Sequence, residues 1–208
     1  MIARSGRCRG MLFPVAVLIG LTLCTGCIGH SAPPRFYVLT DVPRSTGAAP
    51  SAGPGAAVGV GPVALPGYLD RIQIVTRRGA QLEVAEFERW GEPLSEGVPR
   101  AIAAHLAALL QTDRIVVFPW PGARTIEHQV VVDVTRFDGV VGGDVLLEAR
   151  WRIFGQDRKE LVLRYSAVRE ATGESGYLAL VAAMSRSVGA LSREIADSVK
   201  MLRAQPAR

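Results

Sequence analysis

Residues 147–167 read LEARWRIFGQDRKELVLRYSA, and the fold turns on how this stretch is read. Leu147, Ala149, Trp151 and Ile153 alternate with Glu148, Arg150 and Arg152. A side-chain period of two belongs to a strand with one buried and one solvated face. A tight turn at Gly155 to Arg158 leads to a second run, in which Leu161, Leu163, Tyr165 and Ala167 are expected to repeat the inward row. Upstream, Val130, Val132 and Val134 alternate with Val131, Asp133 and Thr135. Three long strands in an antiparallel meander are the expectation.

The segments around this meander supply the second layer. Leu94, Val98, Ile102, Leu106, Leu109 and Leu110 recur at helical spacing on an alanine-rich stretch. Ser95 is the expected N-cap, and Pro99 is tolerated in a helix only within the first turn. A second amphipathic helix carries Tyr177, Leu180, Val181, Met184, Val188, Leu191, Ile195 and Leu202 on one stripe. Short strands are expected over residues 36–39, 58–63, 72–76, 82–86 and 115–118. The fold class is therefore α+β: a mostly antiparallel β-sheet with two amphipathic helices packed on one face. Residues 35–204 read as a single domain. Within them, residues 41–57 (DVPRSTGAAPSAGPGAA) hold too few branched apolar side chains to repay their ordering entropy, and read as a flexible loop.

The amino terminus has a different logic. Arg4, Arg7 and Arg9 precede an apolar run from Met11 to Leu23 and then small residues, which is the layout of a secretory signal. The run is shorter than the roughly 20 apolar residues of a membrane-spanning helix. Its end, Leu23-Cys24-Thr25-Gly26-Cys27, resembles a bacterial lipobox, although Cys24 stands where leucine is usual. Residues 1–26 are then a cleaved signal peptide, Cys27 the lipidated residue and residues 27–34 a tether. Cys24 is the poorer acceptor because bulky Leu23 precedes it. Ile28, where aspartate would direct retention at the inner membrane, points by the same resemblance to the outer membrane.

Cleavage also changes the charge reading. The full chain has 24 basic and 19 acidic residues, a formal net charge of +5. Three of the arginines leave with the signal and no acidic residue does, so 21 basic groups face 19 acidic ones. A near-neutral exported chain whose Arg77-Arg78 pair lacks interleaved aromatics does not read as a nucleic-acid binder. All three cysteines, Cys8, Cys24 and Cys27, lie at the amino terminus, which excludes a disulfide framework, a CxxC metal site and a cysteine nucleophile in the body. His30, His105 and His128 have no partner at metal-ligand spacing, so no metal is expected. Gly55, Gly59 and Gly61 lack both the dinucleotide spacing and a phosphate-loop lysine, and no cofactor is expected. Glu83, Glu86, Glu88 and Glu92 form an acidic run that reads either as a solvated face or as the acid/base pair of an envelope glycan hydrolase.

Two blocks carry a more specific signal. Residues 60–71 read VGPVALPGYLDR, followed by Ile74-Val75 and Arg77; residues 90–94 then read WGEPL just before the first helix. With Phe36-Tyr37-Val38-Leu39 following a lipobox, this ordered set resembles the ABC-type transport auxiliary lipoprotein family (PqiC-type proteins), over nearly the whole mature chain. The resemblance implies a non-enzymatic subunit on the outer membrane, lipid-anchored and facing the periplasm. Its implied partner is an MCE-domain protein of an intermembrane lipid transport system, with phospholipid as cargo and a homo-oligomeric assembly. The expected job is docking the transport conduit and supporting membrane integrity. Pro66, Tyr68, Asp70, Arg71, Trp90, Glu92 and Pro93 are the motif residues, read either as stabilising the fold or as a subunit or partner interface. A periplasmic lipid carrier with its own pocket is the alternative function.

Overall fold

The computed structural model describes residues 32–40, 57–120 and 126–205. The signal segment, Cys27, His30, most of the tether and the loop over residues 41–56 lie outside the described residues. The chain runs β1 (Arg35–Tyr37), β2 (Ala57–Ala64), a 3-10 turn (Gly67–Leu69), β3 (Gln73–Arg78) and β4 (Gln81–Trp90). It continues through α1 (Leu94–Leu110), β5 (Ile115–Val117), β6 (Ile126–Gly139), β7 (Asp144–Phe154), β8 (Glu160–Ala171) and α2 (Tyr177–Ala204). The described residues from Pro34 onward form one compact unit.

The expected meander is present: β6 pairs antiparallel with β7, and β7 with β8. The α+β class holds, with the strands divided between two mixed sheets. A five-stranded sheet has the order β5-β2-β6-β7-β8, and a three-stranded one the order β1-β4-β3. β2 joins both of its neighbours in parallel, and β1 lies parallel to β4. Parallel neighbours need a long crossover, and β3, β4 and α1 supply it between β2 and β5. Both helices lie against the large sheet and against each other, α1 over β2 and β5, α2 over β6, β7 and β8. Trp151, Ile153 and Leu147 of β7 are completely buried there, with Ile102 and Leu106 of α1 and Leu180, Leu191 and Ile195 of α2.

The inward face of β8 is the opposite of the sequence expectation. Leu161, Leu163 and Tyr165 are 40%, 55% and 59% exposed, and Ala167 is exposed too. Register decides this: Ile153 pairs with Val162, Ala149 with Ser166 and Leu147 with Val168. Directly opposed residues of an antiparallel pair share a face, so the buried row of β7 turns the even-numbered residues of β8 inward. Chemistry favours the same register. The buried Trp151 Nε1 donates to Ser166 Oγ at 2.8 Å, and Ser166 Oγ donates in turn to Glu194 of α2.

The start of α1 also differs. Pro93, not Ser95, is the N-cap, and its carbonyl accepts from the Glu96 and Gly97 amides at 2.9 and 3.0 Å. Ser95 is exposed inside the helix, and Pro99 sits beyond the first turn, where it takes the i+4 donor from the Ser95 carbonyl.

Small residues interrupt the buried stripe of α2. Ser185, Ser187 and Ser192 satisfy their hydroxyls on the carbonyls of Val181, Met184 and Val188, at 2.9, 2.7 and 2.8 Å. Gly189 faces the buried His105 of α1, and a Cβ there would stand 2.9 Å from the ring's Cε1. Gly189→Ala should therefore wedge the helices apart and cost about 1–3 kcal/mol in urea unfolding, where an unshifted midpoint would show that the helix pair has room to spare.

Candidate functional site

The first motif block shapes the exit from the large sheet. After β2, Pro66 is extended and the 3-10 turn closes with Leu69 N–H on Pro66 O at 2.9 Å. The turn buries Leu69 and sets the Tyr68 ring over the end of β6. The Tyr68 hydroxyl donates to Asp138 Oδ2 at 2.6 Å and accepts from the Phe137 amide at 3.2 Å. Arg77 of β3 donates from Nε to the same Oδ2 at 2.9 Å, its guanidinium 5.2 Å from the Tyr68 ring centroid. Arg136 donates from Nε to Oδ1 at 3.0 Å.

Asp138 is completely buried. Such a carboxylate is tolerable only when paired and hydrogen-bonded, and here both oxygens are engaged by two guanidiniums and a phenol. Burial, then the bond to Asp138, pushes the Tyr68 hydroxyl above the ordinary tyrosine range, while the same carboxylate raises Arg77. The cluster is a clamp: its acceptors are occupied and its phenol is held protonated. It joins the 3-10 turn and β3 to β6, across the boundary between the two sheets.

A second buried carboxylate holds β1. Glu88 of β4 accepts from Arg35 Nε at 3.0 and 3.1 Å, again from the Arg35 terminal nitrogen, and from the Tyr37 hydroxyl at 2.7 Å. The Arg35 bonds keep Glu88 below the usual carboxylate range against the opposing effect of burial. Burial and the bond to Glu88 raise Tyr37. Backbone ties complete the attachment: the Gly91 amide donates to Tyr37 O at 2.7 Å, and the Thr40 amide donates to Ser185 Oγ on α2 at 3.1 Å.

The second motif block sets the start of α1. Trp90 is buried, and its amide donates to Ile72 O at 2.6 Å. Glu92 accepts from Arg100 and leans over Gly97, where a Cβ would stand 2.9 Å from Glu92 Oε1. Pro93 then caps the helix. Tyr68, Trp90, Glu92, Pro66 and Pro93 thus meet neighbours within the fold, whereas Asp70 and Arg71 are exposed and form no ion pair among the described residues. The acidic run is split: Glu83 and Glu86 are exposed, Glu83 with Arg78 Nε at 3.6 Å, while the less exposed Glu88 and Glu92 are engaged by Arg35 and Arg100. His105 and His128 are both buried, and burial lowers His128. No metal-binding group of three His, Cys, Asp or Glu occurs among the described residues, and none of their helices is long and apolar enough to cross a membrane.

Asp138, Arg136 and Arg35 were not among the residues the sequence singled out. Asp138 follows an irregularity in the β6–β7 register between Val134 and Arg136, and Phe137, Asp138 and Gly139 are all buried in succession. The usable signal was an acidic residue next to Phe137 at the end of a strand with an apolar inward row; its partners Tyr68 and Arg77 lie 70 and 61 positions away. Tyr68→Phe, which removes a donor to a buried charge and the acceptor of the Phe137 amide, should cost about 2–3 kcal/mol of unfolding free energy. Asp70→Ala and Arg71→Ala should stay within about 0.5 kcal/mol of the parent; equal losses at all three positions would contradict this division.

Comparison with known proteins agrees with this architecture. The crystal structure of a protein described only as uncharacterized is 21% identical, with a TM-score of 0.67, covering 81% of this chain and 99% of that one. A protein from Xanthomonas campestris is 14% identical with a TM-score of 0.63, covering 79% and 94%. These likenesses are of fold alone. A PelC dodecamer from Paraburkholderia phytofirmans is 11% identical at a TM-score of 0.39, covering 66% of this chain and 86% of that one, a likeness too partial to carry an argument about assembly. A comparison with curated protein sequences finds no match. The family model of the ABC-type transport auxiliary lipoprotein component, however, matches residues 37–196, from β1 to the last turns of α2. The chain belongs to the ABC-type transport auxiliary lipoprotein family.

Proposed function

We propose that this protein is the lipid-anchored periplasmic scaffold of an MCE-type intermembrane lipid transport system, docking the conduit at the outer membrane. The observation that carries the reading is the family match over residues 37–196. The signal-like amino terminus ending at Cys27 agrees with it. The two buried carboxylate clusters suit a scaffold, because their hydrogen-bonding capacity is spent inside the fold. In this reading Cys27 carries the acyl chains, the domain works as a homo-oligomer, and phospholipid passes through the partner it docks. Asp70 and Arg71 are the part of the motif block open to that partner.

Cys27→Ala should shift the protein from the outer-membrane fraction to the soluble periplasmic fraction. Crosslinking of the wild type in intact cells should capture an MCE-domain protein. A Cys27→Ala protein still held in the outer membrane would contradict the anchor, and repeated crosslinking without an MCE-domain protein would contradict the partner.

A further inference from the structure

Exposed apolar side chains occur on more than one surface. The row Leu161, Leu163 and Tyr165 on β8 is the longest, but nothing in the structure says what covers it. β1 is different, because three observations point to one occupant.

Phe36 is 63% exposed and Val38, just past the strand, 51% exposed. The register sets Phe36 beside Arg89, on the face opposite to Arg35, Tyr37 and their partner Glu88. Arg89 is half-buried, and its Nε is shielded from water with no hydrogen-bond partner among the described residues. An arginine with one guanidinium nitrogen unsatisfied, beside a projecting aromatic, is suited to an acceptor from outside the fold. Finally, Arg35 lies eight residues after Cys27. At 3.6 Å per residue at most, β1 can stand no further than about 29 Å from the acylated cysteine.

We infer that the Phe36–Val38–Arg89 face rests on the phospholipid surface, the two apolar side chains at the headgroup boundary and Arg89 on a lipid phosphate. The inference rests on the lipid-anchor reading above. Two side chains are too small a patch for a stable contact between copies, which needs roughly 800 Å² per partner against the 150–250 Å² of one aromatic. They suffice beside a membrane, because the tether makes the contact intramolecular and raises the effective lipid concentration. Docking through β1 also fixes the orientation of the domain, since β1 is held to β4 through Glu88, and Thr40 to α2 through Ser185.

The test places a nitroxide on Phe36→Cys in the lipidated protein, reconstituted in phosphatidylethanolamine vesicles containing phosphatidylglycerol. Acylated Cys27 leaves the introduced thiol as the one free for labelling. Leu163→Cys is the control, on the face of the large sheet away from α2. The label at 36 should collide more with lipid-dissolved oxygen than with a water-soluble nickel chelate, and the label at 163 the reverse. Adding Arg89→Gln should move the label at 36 outward. Protein that floats with the vesicles while both labels face water would overturn the docking and leave the anchor intact. Protein that does not float removes the anchor and the docking with it. Dipolar broadening at 36 would assign the face to a second copy, and an unchanged depth in the Arg89→Gln background would overturn the phosphate contact.

Discussion

Asp138 is the constraint on which the arrangement of the two sheets depends. A carboxylate removed from water costs several kcal/mol unless close, well-directed partners replace the lost hydration. Its partners come from three places in the chain: Tyr68 from the turn after β2, Arg77 from β3 and Arg136 from β6 itself. The burial is tolerable only while all three converge, so the carboxylate enforces one position of the small sheet on the large one. Glu88 repeats the device at β1, with Arg35 and Tyr37 arriving from 53 and 51 residues away. Apolar burial supplies the driving force of this fold, and these two buried charges supply its specificity.

The motif residues look different in that light. A block such as VGPVALPGYLDR invites a search for a binding surface, yet Tyr68 spends its polar tip on Asp138 and Pro66 shapes the turn that delivers it. Trp90, Glu92 and Pro93 set the path from β4 into α1. The outward members, Asp70 and Arg71, are the ones left to interact with something else. The division leaves a motif block whose buried members brace the fold and whose two exposed members face solvent.

Local pattern carried much of this architecture, and pairing carried the rest. The period-two runs of β6 and β7 and the helical stripe over residues 94–110 are written in neighbouring residues, so they were legible in the sequence. The inward face of β8 was not, because Leu161, Leu163 and Tyr165 are the more apolar row and lose to a register set by Trp151 and Ser166. The parallel joining of β2 to β5 and β6 depends on contacts across the chain and leaves no local trace. Tyr68, Trp90 and Glu92 were legible as residues of consequence through the family pattern. Asp138 was not, since a buried carboxylate is recognisable only once its arginines are known to meet it.

Native-state hydrogen exchange on Asp138→Asn tests the clamp most directly. The substitution keeps the shape of the side chain and removes the charge that gathers Tyr68, Arg77 and Arg136. The account predicts that amides of the 3-10 turn, β3 and β4 lose protection selectively, while the centres of β6 and β7 and the buried turns of α2 keep theirs. Unchanged exchange in β3 and β4, or an equal loss in every strand, would contradict it.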